Sequence, residues 1–531
     1  MNSSLYPVMM NEMKGDSADE EVKNKSEKQE KHEVDLVQEA MGTLGPWHIV
    51  IAVALSLVKF PVAWHQLGIV FLAPPGNFTC ASPTPADNTS SRLNQCLVDV
   101  GGGHMEKCSQ FNYDRSIFDK TIISEWDLVC DRAQLANLAQ TLTMFGILMG
   151  NMIFSAMSDR IGRKRPLMIA ILLQSVTGFL TVYSHWYELF LVFKFISAVA
   201  TGGTMLISFV LLMEIVGPKW RSSLSVLFHL PFLLGFLMNP LVAYLTRTWT
   251  GFQMAVSIPP IFLLSYYWIV PESPRWLLAV GRREEATTIL TKAAEKNRIP
   301  LSKVTAAIES HKSQEKLIDE PEKKYNFTHL FLTPNMRLKT ICVCVNWFVC
   351  GLCFFGLAQY IGRLNGNIFV NTAISAAVEF PGTLIILFLI SRVSRLKILI
   401  GGNLVSGITL ILIMIFEDPK VQVGLACIGI AAMSISFPTV YLYSSEVFPT
   451  VVRNVGVGAG SIAARIGSMI APFIATMNIV YPWLPPLIFG IGPIVGAGLC
   501  FLLPETMNFE LPETIEDGEN FGKKKRRQVS A

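Results

Sequence analysis

The chain has 531 residues, 51% of them hydrophobic and 16% charged, with a net charge of +4. So apolar a composition excludes an ordinary soluble protein of this length. The small basic excess is no argument for nucleic acid, because the placement of the charges says more than their sum.

The opening residues are polar and rich in Glu and Lys, which predicts a disordered tail over 1–45 and no cleavable signal peptide. Twelve apolar blocks follow, at approximately 47–72, 133–156, 166–184, 187–212, 223–245, 251–270, 338–359, 367–390, 397–416, 421–443, 454–477 and 482–503. Each is long enough to cross roughly 30 Å of hydrocarbon as a helix. They are continuous runs, whereas barrel strands alternate over about ten residues. The predicted fold is therefore an all-α integral membrane protein of twelve transmembrane helices.

Basic residues crowd the connections after span two (Arg160, Arg163, Lys164, Arg165), after span four (Lys219, Arg221) and after span eight (Arg392, Arg395, Lys397), and they recur in Lys523–Arg527. All fall on one side of a twelve-span chain, which the positive-inside rule makes cytoplasmic. The expected organisation is a cytoplasmic tail (1–45), a first transmembrane helix (46–72), an extracellular loop (73–132), the rest of the N-terminal six-helix half (133–270), a cytoplasmic loop (271–336), the C-terminal half (337–503) and a basic cytoplasmic tail (504–531). Cys80, Cys96, Cys108 and Cys130 share the outer loop. They suggest two disulfides, with three connectivities open. A zinc site is disfavoured because no Cys-x2-Cys pair occurs. Asn77 and Asn88 head glycosylation sequons in the same loop. Asn326 heads another, on the side predicted to be cytoplasmic and therefore unused.

A repeat organises the chain. Asp159-Arg160-Ile161-Gly162-Arg163-Lys164 turns between two apolar runs, and a shift of 232 residues carries it to Ser391-Arg392-Val393-Ser394-Arg395-Leu396. The same shift carries Glu214 to Glu446 and Arg221 to Arg453, and a shift of 233 carries Glu272 to Glu505. Matched landmarks at one offset indicate two pseudo-symmetric six-helix halves, the build of a secondary transporter. Gly162 permits the tight turn and Arg163 and Lys164 stay at the anionic inner leaflet. The second turn has Ser391 and Ser394 in place of Asp159 and Gly162, which puts a symmetric gate in doubt.

The Asp159–Lys164 turn, the Glu214-to-Arg221 element, Pro271-Glu272-Ser273-Pro274-Arg275-Trp276 and Pro504-Glu505-Thr506 together resemble the major facilitator superfamily. Ser445–Asn454, Leu511–Ile515 and the large cysteine-bearing outer loop narrow the resemblance to solute carrier family 22, the organic cation, anion and zwitterion transporters. It runs from about residue 45 to 517. Sugar porters share the Pro-Glu-Ser-Pro-Arg-Trp run but usually lack so large an outer loop. Position 155 is Ser where the superfamily pattern opens with Gly. The resemblance implies a gating network of Asp159, Arg160, Gly162, Arg163, Glu214, Arg221, Glu272, Arg275, Glu446, Arg453 and Glu505.

Ionisable residues at mid-bilayer are functional suspects by default. Arg465 in span eleven lies twelve residues beyond Arg453, roughly 18 Å in at 1.5 Å per residue. Glu379 in span eight reaches a similar depth from the other side. Their repeat counterparts are Leu233 and Ile147, which assigns the charge chemistry to the C-terminal half alone. Arg465 offers a bidentate fork to a carboxylate, and Glu379 attracts a cation. Trp347, Phe354 and Phe355 offer aromatic faces to a quaternary ammonium group. The bland alternatives are an Arg465–Glu379 structural pair and ordinary packing for the aromatics. His65 and His229 read as packed histidines without a role, and Pro240, Pro259 and Pro381 as kink sites. In similar proteins an arginine in the Ala464-Arg465-x-Gly467 setting accompanies anions or zwitterions such as carnitine, whereas Val378-Glu379-Phe380-Pro381 resembles the cation and carnitine branches.

No Gly-x4-Gly-Lys-Ser/Thr loop, His-Glu-x2-His or Gly-x-Ser-x-Gly occurs, so neither an ATP-driven pump nor an intramembrane enzyme is supported. The sequence points to a plasma-membrane carrier of small organic zwitterions or cations, working by alternating access in the lipid bilayer. It requires no cofactor and no nucleic-acid partner. The coupling ion, sodium or proton, and the oligomeric state stay open. Organic anions are the second substrate class. A glycosylated surface receptor or scaffold without transport is the alternative outside transport.

Overall fold

The computed structural model describes residues 36–42, 44–82, 96–99, 104–315, 326–364, 366–507, 509 and 511–522. Among the described residues, eleven helices are long and apolar enough to span a membrane: Pro46–Leu72, Cys130–Ile161, Lys164–Tyr183, Tyr187–Ile215, Ser223–Thr246, Trp249–Ile269, Pro334–Ile361, Ile368–Leu389, Arg395–Leu412, Pro419–Val447 and Thr450–Thr476. The shorter apolar helix Leu484–Cys500 is the twelfth. These are spans one to twelve in chain order. Helices arise here because hydrocarbon offers no partner for backbone N–H and C=O groups, so each segment must satisfy its own. Large apolar side chains such as Leu245, Phe262 and Trp268 point outward, while close packing inside falls to small residues. A Cβ on Gly150 would collide with the Val199 carbonyl between spans two and four, and one on Gly351 with the Ala464 carbonyl between spans seven and eleven. Glycines at such positions let helix backbones approach where no hydrophobic effect drives them together.

The described residues divide into two compact units, one falling within 1–49, 215–219 and 274–320, the other within 50–214, 220–273 and 321–531. In the first, helices Leu36–Met41, Pro274–Ala279, Arg283–Asn297 and Leu301–Glu315 pack through Ala40, Met41, Leu290, Ala293 and Ala294. Leu36–Met41 lies within the tail expected to be disordered over 1–45, and this corrects that expectation for its last part. Burial of Ala40 and Met41 orders it, together with the bond from Asn297 Nδ2 to the Met41 carbonyl (2.8 Å). The earlier tail and the Lys523–Arg527 cluster lie outside the described residues.

In the second unit, the loop between spans one and two carries two short antiparallel pairs, Phe78–Ser82 with Gln110–Tyr113 and Leu97–Asp99 with Met105–Lys107. Disulfides join Cys80 to Cys108 and Cys96 to Cys130, choosing one of the three connectivities. The second bond fastens the loop to the start of span two. Asn77 is exposed; Asn88 lies outside the described residues.

Candidate functional site

Two ion-pair networks occupy the face that carries the 159–164 turn. Gly162 ends the span-two helix at φ 96°, a left-handed conformation for which glycine has no steric penalty. Arg163 then turns back. Its Nε and Nη2 donate to Glu214 at 3.0 and 2.8 Å, and its Nη1 donates to the Ser158 carbonyl at 2.9 Å. Glu272 accepts from the backbone N–H groups of Arg163 (2.7 Å) and Lys164 (3.2 Å), capping the positive end of the span-three helix. Asp159 adds a 3.4 Å ion pair with Arg163.

The C-terminal half repeats the set, at an offset of 232 for Arg395 and Glu446 and of 233 for Glu505. Arg395 Nη2 donates to Glu446 at 3.3 Å and its Nη1 to the Ile390 carbonyl at 2.5 Å. Glu505 accepts from the N–H groups of Arg395 (3.2 Å) and Leu396 (3.4 Å) and from the Ser394 hydroxyl. Partial burial alone would raise the Glu505 carboxyl. The bonds from Ser394 and from the backbone of Met507, Thr506 and Leu396 outweigh it and hold the carboxyl below its ordinary value. The substitutions at Ser391 and Ser394 thus leave the Arg–Glu–Glu pattern intact. Arg453 bonds the Phe448 carbonyl and Thr450. Arg160 is exposed, and Arg221 and Arg275 sit on the short helices Pro218–Leu227 and Pro274–Ala279.

The halves meet through side chains toward the opposite, loop-bearing face. Asn137 Nδ2 donates to Thr476 Oγ1 and Thr141 Oγ1 to the Met469 carbonyl, both at 2.9 Å, joining spans two and eleven. Phe71 stacks on Phe369 with centroids 6.0 Å apart, joining spans one and eight. The bonds from Arg163 to Glu214 and Glu272 and from Arg395 to Glu446 and Glu505, by contrast, each join residues of one half.

Between these levels lie the intramembrane charges. Arg465 Cζ sits 6.0 Å from the Phe355 ring, and its Nη1 is 3.9 Å from Met144 Sδ across the half boundary. Among the described residues no carboxylate lies within ion-pair distance of it. Glu379 is fully buried on span eight, which packs on spans five and ten. Neither of its oxygens has a hydrogen-bond partner among the described residues. The structural pair of Arg465 with Glu379 is therefore not formed.

Of the span-seven aromatics, Phe355 is brought to Arg465 and Phe354 packs edge-on against Phe355. Trp347 is placed elsewhere. Its indole N–H donates to Ser444 Oγ at 2.8 Å, and its ring packs on Phe437, Tyr441 and Gly460. That is a packed, satisfied core residue.

The interior also corrects the assignment of charge to the C-terminal half alone. Lys59 in span one and Lys194 in span four are both buried. Lys59 Nζ lies 4.9 Å from the Phe228 ring, and Arg465 and His229 both stand within its electrostatic field. Lys194 Nζ lies 3.5 Å from Gln253 Oε1, beside His65, whose ring nitrogens have no hydrogen-bond partner among the described residues. Both lysines stand plainly inside apolar blocks of the sequence. That is the signal by which they can be found, although one charge per block scarcely changes the block's hydropathy. Among the described residues no group of three or more His, Cys, Asp or Glu is arranged to hold a metal ion.

Comparison with known proteins places this architecture. Residues 110–517 match the family described as "Sugar (and other) transporter". The organic cation transporter protein of Drosophila melanogaster is 35% identical, over 92% of this chain and 95% of its own. Solute carrier family 22 member 1 of Oryctolagus cuniculus is 31% identical over 94% and 97%, and organic anion transporter 3 of the same species 31% over 91% and 93%. In fold, the chain resembles the xylose transporter XylE from E. coli in a partially occluded inward-open conformation. The TM-score is 0.61 at 17% identity, covering 88% of this chain and all of that one. A receptor or scaffold without transport finds no support in relatives that are transporters along nearly their whole length, and neither does an enzyme. The chain belongs to the major facilitator superfamily and, within it, to the solute carrier 22 family, as a multi-pass membrane transporter of small organic ions.

Proposed function

We propose that this transporter resides in the plasma membrane with both termini inside, and carries organic zwitterions that bear a carboxylate and a quaternary or primary ammonium group. The observation that carries the reading is the separation of opposite charges in the interior. Arg465 has no acid partner among the described residues, and Glu379 has no base. A buried acid and a buried base, each without a partner, are costly in their charged forms unless a ligand supplies both complements. The relatives' names include both organic cation and organic anion transporters, so they do not choose the sign. Phe355, and Phe354 beside it, contribute the aromatic wall. Transport proceeds by alternating access. Bonds between the halves sit toward the loop-bearing face, and the Arg163–Glu214 and Arg395–Glu446 bonds each join residues of one half, an arrangement that suits a carrier open to the cytoplasm. In the outward-facing state the motif elements Asp159–Arg163, Glu214–Arg221 and Glu446–Arg453 come together to shut the cytoplasmic side. Asn77 and Asn88 are the sites for glycans outside.

The test is uptake by expressing cells of labelled carnitine, choline and a monocarboxylate, each with and without sodium and with an imposed proton gradient. Carnitine entering faster than either singly charged probe supports the reading. A preference for choline with no inhibition by carboxylates would overturn it. The ion arms decide between sodium coupling, proton coupling and exchange.

A further inference from the structure

Lys59 lies thirteen residues beyond Pro46, about 20 Å into span one at 1.5 Å per residue. Arg465 lies about 18 Å into span eleven by the same rule, and the two spans enter from the same face. Both cations therefore stand near the middle of the hydrocarbon, one from each half. Lys59 is buried, and buried lysines are ordinarily paired with an acid. Among the described residues no carboxylate lies within ion-pair distance of Lys59. Its neighbours include a ring face, Phe228 at 4.9 Å, and no acid among the described residues balances the like charge of Arg465. Arg465 on span eleven, at a similar depth, acts on it as a like charge. Like charges gathered at one depth and left without a counterion raise the energy of the empty site. An anionic group placed among them lowers it again.

We infer that Lys59 is a substrate-binding residue, the N-terminal half's partner to Arg465 in holding the substrate's carboxylate. This rests on the carboxylate reading of Arg465 above and extends it to the other half. The chemistries are complementary. The guanidinium offers a planar fork that fixes orientation, and the ammonium a compact charge on a flexible stem that follows as the halves move. Phe228 holds the ammonium without neutralising it, as a cation–π contact does. A ligand gripped by one half alone would do little to draw the other toward it. A carboxylate shared by Lys59 and Arg465 bonds both.

The experiment compares Lys59→Met, Lys59→Arg and Arg465→Ala with wild type in intact cells, with surface expression measured by biotinylation. The probes are carnitine and choline, which share the trimethylammonium group and differ in the carboxylate. Lys59→Met is expected to raise the carnitine KM at least tenfold, leave the choline KM within about twofold, and be largely rescued by Lys59→Arg. A purely structural Lys59 gives equal losses for both probes and no rescue by arginine, which overturns the inference. A selective loss in Arg465→Ala without one in Lys59→Met overturns the role of Lys59 while sparing that of Arg465. Wild-type protein that carries choline and ignores carnitine overturns both.

Discussion

At its motif end the N-terminal half ties Arg163 to Glu214 and uses Glu272 to cap the following helix, and the C-terminal half does the same with Arg395, Glu446 and Glu505. Deeper in the membrane the correspondence ends. The N-terminal half buries Lys59 and Lys194, and the C-terminal half carries Arg465 and Glu379. The difference separates what both halves need from what each supplies. Ending a span, reversing direction and capping the next helix are demands of the same physics in both places, so one arrangement serves twice. Reading the proposed zwitterion is a demand on the pair, and identical interiors would present identical charges to its two ends.

Arg465→Ala should break this comparison most severely. Removing one partner of a buried charge contact costs about 2–5 kcal/mol, so carnitine uptake should fall by more than about thirtyfold at unchanged surface expression; undiminished uptake ends the binding role. Next come Arg163→Ala and Arg395→Ala. Each strands carboxylates in a largely buried network, and both should slow transport by about tenfold or more, to a similar extent for all substrates. A large effect in one half alone would show that the matching bonds do unmatched jobs. Glu379→Gln should sharpen the interior half of the comparison, weakening choline several-fold more than a monocarboxylate. Equal losses would make Glu379 structural.

The smallest effect concerns pH at Glu505, whose carboxyl is held below its ordinary 4.5 by its hydrogen bonds. A lowered folded-state pKa means that its stabilisation is complete above about 4.5 and is lost as pH falls through the folded value. In detergent-purified protein, Glu505→Gln should therefore melt lower than wild type at neutral pH, with the gap narrowing as the buffer is taken toward pH 3. A constant gap would assign the loss to shape rather than charge.

The twelve spans were readable from the sequence because continuous apolar length is itself the physical requirement for crossing hydrocarbon. Offsets of 232 and 233 residues align Glu214 with Glu446 and Glu272 with Glu505, but Arg395, the counterpart of Arg163, was not among the residues singled out for the gating network. Which atoms pair was not readable, because Arg163 and Glu214 meet only once spans two and four are packed. Trp347 shows the limit for aromatics. Its letter serves equally for a ligand wall and a packed core, and Ser444, far along the chain on span ten, decides between them. Lys59 and Lys194 were visible as letters but diluted by their surroundings. A window that averages over a span measures whether the segment crosses, and hides the single charge that says why. The helix Leu36–Met41 is too short to announce itself without the neighbours that bury it.

The two bonds across the half boundary toward the loop-bearing face, Asn137 to Thr476 and Thr141 to Met469, have a kinetic consequence when set against Lys59 and Arg465. The first pair draws the halves together at one end; the second pushes them apart in the middle. On the proposed role of Lys59, an unloaded carrier passes through its closed intermediate with that repulsion unscreened, whereas a loaded one passes with a carboxylate between the charges. If both cations hold the carboxylate as proposed, return of the empty protein is the slow limb of the cycle. Such a carrier runs fastest when substrate waits on both sides of the membrane.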